Sequence, residues 1–213
     1  MKSVDSDDIA IKLAEEVKLL LASGGFQLTK FSSNSRKVLS TFCHDKLASG
    51  LKDLDLGDLP VGKAVGVYWN AESDEFIVHV SLREKPITRR GVLLQASQLF
   101  DPFGMIQPFI LYSKVCCRDC QLNIGWDEAI PSHLPDIWMR WVRTLPKLQS
   151  VSIPRWFGCC RDDSQLELHC LGDTSSVGYG AVCYIRVVRG SAIHCAFCFG
   201  KVTRVSDKDG HYT

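Results

Sequence analysis

Asp173 is the residue whose neighbours best suit it to chemistry. It lies between two apolar runs, 166–172 and 178–188, among small residues: Gly172, Thr174, Ser175, Ser176, Gly178 and Gly180. Three readings fit. Two-metal nucleases hold divalent cations with carboxylates at strand ends, and small neighbours there leave room for a nucleic-acid backbone. Asp173-Thr174-Ser175 also approaches the Asp-Thr-Gly of aspartic peptidases, in which two facing carboxyls share a proton. Against that, a serine replaces the glycine that lets such loops pack, and only 40 residues follow Asp173, too few for a flap and a dimer sheet. The third reading is a turn cap, an Asp after a strand bonding nearby backbone N–H groups.

The 213 residues include ten cysteines. Cys117 and Cys120, and Cys195 and Cys198 with His194 beside them, have the two-residue spacing of zinc pairs. The first pair falls in a helical pattern and the second in a strand pattern, whereas zinc pairs sit on tight knuckles. They therefore read as small hydrophobes. The opening MKSVDSDD has no apolar signal core, and no apolar run approaches the ~20 residues of a spanning helix. The reading is a soluble intracellular chain, cytoplasmic or nuclear, with no membrane partner and no disulfide framework. A net charge of +1 supplies no global basic field, so any nucleic-acid contact needs a local basic groove.

The periodicity then assigns the elements around Asp173. Apolar residues at helical spacing (Ile9, Leu13, Val17, Leu20, Leu21) predict a helix over 6–23, capped by acids at its start and closed by Gly24-Gly25. Alternation over 26–31 predicts a half-buried strand, Ser32–Ser35 a turn and helix cap, and 45–63 a variable loop. Residues 64–69 and 76–82 read as a hairpin closed by Asn70–Asp74. Helices follow over 88–100, 108–122 and 135–145, with Asp101-Pro102-Phe103-Gly104 as the turn after the first. Residues 151–163 read as a connector. Strands over 166–172, 178–188 and 192–199 form an antiparallel meander. Nothing predicted covers one face of that meander, which suggests that the chain stops partway through a domain.

In this order the motifs resemble the reverse transcriptase–ribonuclease H region of Pao/BEL-type LTR retrotransposon polyproteins. The matching stretches are GGFQLTKFSSNSRKVL (24–39), AVGVYWNAESDEF (64–76), TRRGVLLQASQLFDPFGMIQP (88–108), IGWDEAIP (124–131), WMRWVRTLPKL (138–148), IPRWFG (153–158) and LELHCLGDTSSVGYGAVCYIR (166–186). The resemblance implies an α+β fold with four parts: the C-terminal end of a polymerase palm with its β-hairpin over 1–87, thumb and connection helices over 88–150, a linker over 151–165, and the truncated start of a ribonuclease H-like three-stranded sheet over 166–213. Asp173 would be the first metal-binding, catalytic carboxylate of that nuclease. The 64–82 hairpin would lie where such polymerases hold a primer end.

The implied partners are an RNA–DNA or DNA duplex and the remainder of the polyprotein. The implied cofactor is Mg2+ or Mn2+ in the complete parent enzyme, with none bound by this chain. Candidate duplex contacts are Lys30, Ser33, Asn34, Trp69, Arg89 and Arg90. The polymerase's Tyr-x-Asp-Asp is absent, the later nuclease acids have no matching positions, and Lys30-Phe31 stands where the family often has Lys-Trp. Hence the expected chain is a binding scaffold without catalysis of its own. The alternatives are a Pao-family peptidase using Asp173 and a host-adopted interaction protein on the same scaffold.

Overall fold

A computed structural model describes residues 2–48, 51, 58–64, 66–81, 83–121, 124–158 and 164–205. Helix α1 (Asp7–Ser23) begins as its sequence demands: Ser6 Oγ accepts from the Ile9 N–H at 3.3 Å, and Asp7 and Asp8 occupy the positive first turn. None of its residues is buried, and its attachment to α2 (Arg36–Leu39) includes a Lys37–Asp8 ion pair at 2.8 Å.

The strand predicted over 26–31 does not form. Only Phe31 makes a bridge, parallel to Leu47, and Lys30 takes a left-handed φ of 62° that breaks an extended run. The apolar alternation there serves a loop instead, with Phe31 stacked on Phe42 at 4.2 Å and Phe26 exposed.

Residues 61–77 form a meander rather than a two-stranded hairpin. The predicted run 64–69 is broken near Gly66 (φ 84°), giving β1 (Val61–Ala64) and β2 (Val67–Asn70). β1 thus lies partly in the stretch read as a variable loop, at whose start a short 3-10 turn, His44–Lys46, forms; residues 49–50 and 52–57 of that stretch lie outside the described ones. β3 (Glu75–Ile77) is shorter than the predicted 76–82. The 70–74 turn forms for the expected reason: Asn70 Oδ1 accepts from the Glu72 and Ser73 amides, and Asp74 adopts φ 55°, a conformation Asp tolerates better than most residues. β4 (Ser152–Pro154) then joins β3, so the predicted connector supplies the fourth strand of an antiparallel sheet ordered β1-β2-β3-β4.

The helical layer consists of α3 (Arg89–Ala96), α4 (Gln107–Gln121) and α5 (Pro135–Thr144), followed by a 3-10 turn, Leu145–Ser150. α3 ends before the predicted residue 100. Trp138 and Trp141 face inward with Val92, Ile106, Ile130 and Leu148, and the Trp141 indole donates to the Phe109 carbonyl at 3.0 Å. These tryptophans are core residues, each with its polar atom served or its ring packed.

The last sheet is the predicted meander, with longer strands: β5 (Gln165–Thr174), β6 (Gly178–Arg189) and β7 (Ala192–Arg204) in order β5-β6-β7. It buries little. Val187 and Ala196 are its buried apolar residues, while Leu166, Leu168, Leu171 and Ile193 stay exposed.

The Leu99-Phe100-Asp101-Pro102-Phe103-Gly104 motif joins these bodies. Asp101 accepts from the amides of Met105 and Ile106 at 2.8 and 2.9 Å, fixing the entry into α4. Phe103 stacks on Phe76 of β3 at 4.8 Å, and its carbonyl accepts from the Gly200 amide of β7 at 2.8 Å. One turn thus touches a helix, the first sheet and the second sheet.

Candidate nucleic-acid interface

Asp173 lies inside β5, paired with Gly180, rather than in the turn beyond it. Residues directly opposed across antiparallel strands share a face. Asp173, Gly180 and Val202 therefore lie on one face, and Leu171, Val182 and Gly200 lie one step along it. That face and the segment 104–111 enclose a cleft of about 570 Å³, whose lining includes Gly104, Leu111, Leu171, Gly180 and Lys201. Asp173 is exposed at its margin and accepts from the Thr174 amide at 2.8 Å.

No other acid among the described residues lines this cleft. Among the described residues, no group of three or more His, Cys, Asp or Glu side chains could hold a metal ion. Asp173 alone, among the described residues, does not make a Mg2+ or Mn2+ site. Asp207 and Asp209 lie outside the described residues. The cysteine spacings likewise form no such group: Cys117 is buried inside α4, while Cys195 and Cys198 sit on β7. The side chain of Cys120 lies outside the described ones.

The six sequence-based duplex contacts scatter. Trp69 is buried in the first sheet's core, its indole donating to Asp74 Oδ1 at 3.0 Å. Arg89 donates to the Ile124 carbonyl at 2.8 Å and stacks on Trp126, 4.2 Å from the ring centre. Arg90 grips Asp127 through two hydrogen bonds, at 2.7 and 3.0 Å. Both arginines thus tether the 124–128 loop to the start of α3. Ser33 Oγ accepts from the Ser35 amide, and Ser33 and Asn34 line a separate cleft of about 650 Å³ with Asp5, Asp7 and Arg155. Lys30 is exposed on its left-handed turn.

The Arg90 contact makes a pH prediction. Its hydrogen bonds hold the Asp127 carboxyl below the usual carboxylate range. A carboxylate with a lowered folded pKa supports the fold above its unfolded value and loses that support as pH falls through the folded one. Hydrogen-exchange protection of the Arg89 and Arg90 amides, which donate to Glu128 and Trp126 carbonyls, should hold above about pH 5 and fall below about pH 4. Protection that stays constant through acid would remove this role from the pair.

A basic groove missed by the sequence reading lies on the other side of the first sheet. It has a volume of about 340 Å³ and carries Lys63, His79, Arg83 and Lys85, with Tyr68 and Phe100 as its aromatic members; among the described residues no acid lines it. Strand pairing builds it. Lys63 is directly opposite Tyr68, with its ammonium 5.8 Å from the ring centre, and the His79 ring lies 4.3 Å from that of Tyr68. Phe100 closes over Gly66, where a Cβ would come within 2.5 Å of the ring, and is itself 62 % exposed. The chain's near-neutral total charge hides this local excess. The one signal in the sequence was the run from His79 to Lys85, in which basic residues alternate with others just before the helical layer.

No helix among the described residues is long and apolar enough to cross a membrane. No curated protein and no solved structure matches the chain. The family model described as Pao retrotransposon-like RNaseH-like domain matches residues 88–213, from the start of the helical layer through the β5–β7 sheet, and the mixed α/β architecture with antiparallel sheets is compatible with it. The chain therefore belongs to the Pao retrotransposon-like RNaseH-like family.

Proposed function

We propose that this chain is part of a retrotransposon polyprotein and serves it as a nucleic-acid-binding scaffold for an RNA–DNA or DNA duplex. In this reading residues 1–87 end a polymerase palm, residues 88–150 are thumb and connection helices, and the β5–β7 sheet is the ribonuclease H portion. The observation that carries it is the basic groove in which Lys63, His79, Arg83 and Lys85 come together. Clustered cations displace counterions from phosphates, and an exposed ring such as Phe100 gives a base a surface to stack on. The groove belongs to the same β1–β3 meander that the family resemblance associates with a primer end. Asp173 stands apart from it as a single carboxylate, so binding rather than cleavage is the activity assigned to the chain.

Fluorescence anisotropy with a labelled RNA–DNA hybrid, repeated across salt concentrations, tests the proposal. Charge reversal at Lys63, Arg83 and Lys85 together should weaken binding about tenfold or more, and neutralising one of them should lower the salt slope by about 0.9. Asp173→Asn should leave binding unchanged, and hybrid incubated with Mg2+ or Mn2+ should stay intact. Binding indifferent to the groove substitutions would overturn the reading, and robust hybrid cleavage would overturn the assignment of binding alone.

A further inference from the structure

Cys170 on β5 and Cys183 on β6 are direct partners in the strand register, and their sulfurs lie 2.7 Å apart. That is inside the contact distance of two non-bonded sulfurs. Directly opposed residues in an antiparallel pair have Cα atoms about 4.5–5.5 Å apart, within the roughly 4.4–6.8 Å a disulfide spans. Neither strand needs to move for a bond to close.

Cys170 is exposed, so an oxidant reaches it. A bulge follows Cys183: Cys183 pairs with Phe199 and Tyr184 with Phe197, leaving Cys198 unpaired in the ladder between them. The bond would cross-link the strand β5, which is exposed along all ten residues and among the described residues pairs only with β6, three positions before Asp173.

We propose that Cys170 and Cys183 are a modification site, forming a reversible cross-strand disulfide under a peroxide-class oxidant. The Cys170 sulfur is oxidised to a sulfenic acid as one peroxide O–O bond breaks and the peroxide is reduced to water. The Cys183 sulfur, giving up its proton, then attacks it. The S–S bond forms, the S–O bond breaks, and hydroxide leaves with that proton as a second water. Two thiols and one peroxide become one disulfide and two waters. A small dithiol reverses the step by exchange.

Peptide mapping tests this on the whole chain. Trypsin leaves both cysteines in one peptide, 162–186, and Cys195 and Cys198 in another, 190–201. After hydrogen peroxide treatment and alkylation, the first peptide should have lost two hydrogens and taken up no alkylating agent. Cleavage before Asp173 should leave its halves joined. Dithiothreitol should restore both alkylation sites, and Cys170→Ser or Cys183→Ser should abolish the linkage. A dominant cross-link between the two tryptic peptides, persistent alkylation of Cys170 and Cys183, or sulfinic acid at Cys170 would each overturn the proposal. Alkylation in the untreated protein, under denaturant, confirms that the starting state is the dithiol.

Discussion

Arg155→Ala should destabilise the folded chain by about 3–5 kcal/mol, the usual result of removing one partner of a largely buried ion pair. The Arg155 guanidinium grips both Asp74 oxygens, Nε to Oδ1 at 2.6 Å and Nη2 to Oδ2 at 2.8 Å, and donates to Ser3 Oγ at 2.7 Å. Its side chain is 12 % exposed and that of Asp74 is 23 % exposed. The Arg155 amide also donates to the Asp74 carbonyl, and the Trp69 indole shares Asp74 Oδ1.

Alanine at 155 strands the Asp74 carboxylate against an indole with much of its charge uncompensated, and removes the side-chain clamp between the end of β4 and the 70–74 turn. Arg155→Lys should recover only part of the loss, because an ammonium cannot reproduce the two-pronged geometry. Urea unfolding of Arg155→Ala, Asp74→Ala and the double variant measures the coupling. The double variant should be much less destabilised than the sum of the singles. Additive losses would show that the pair does not act as a unit.

The other large effect is expected at Gly104. Its φ of 82° is left-handed, and a Cβ there would meet the Gly200 carbonyl oxygen 1.7 Å away. Both atoms belong to backbone, so no side-chain rotation relieves the clash. Gly104→Ala should cost about 2–5 kcal/mol, combining about 1–2 for the left-handed alanine with about 1–3 for overpacking.

The damage should be local to the docking of β7. The Gly200 amide would lose the Phe103 carbonyl, and the contact of Gln107 Oε1 with the Val202 amide, 3.4 Å in the native chain, would open. Hydrogen exchange along 198–204 should rise accordingly. Gly190→Ala is the control: its φ of 55° carries the same conformational penalty, but open space surrounds it. Equal losses at 104 and 190 would mean that conformation alone matters and that the backbone contact is incidental.

These two positions mark where the sequence could and could not be read. Local signals were legible. Ser6 and Asn70 do what their types dictate, and the β5–β7 meander follows from short connections and alternation. The 26–31 stretch has the same alternation, but among the described residues it pairs only through the single Phe31–Leu47 bridge, and Lys30 turns the chain. Periodicity reports a face to bury, not the neighbour that will cover it.

Contacts across long stretches of chain left no local trace. Asp74 and Arg155 are 81 residues apart, and the residues of the basic groove come from β1, β2, the segment after β3 and the end of the α3 region. Arg89 and Arg90 read as duplex contacts because their partners, Trp126 and Asp127, are distant in sequence. Trp69 shows the same ambiguity: an indole suits a core as well as a nucleic-acid surface, and here the core holds it.

The β3–β4 pairing has a consequence for a chain made from its N-terminus. The β5–β7 strands pair with their immediate successors, so that sheet closes by short loops, quickly and without waiting for distant segments. The first sheet cannot do the same. Its fourth strand and the arginine that locks its turn are synthesised only after the entire helical layer. A nascent chain reaching residue 150 holds a complete helical core beside an unfinished sheet, and the N-terminal portion closes behind the middle. Chaperone demand during synthesis should therefore be greatest over that interval, when the hydrophobic surface around Phe76 and Trp69 still waits for Ile153.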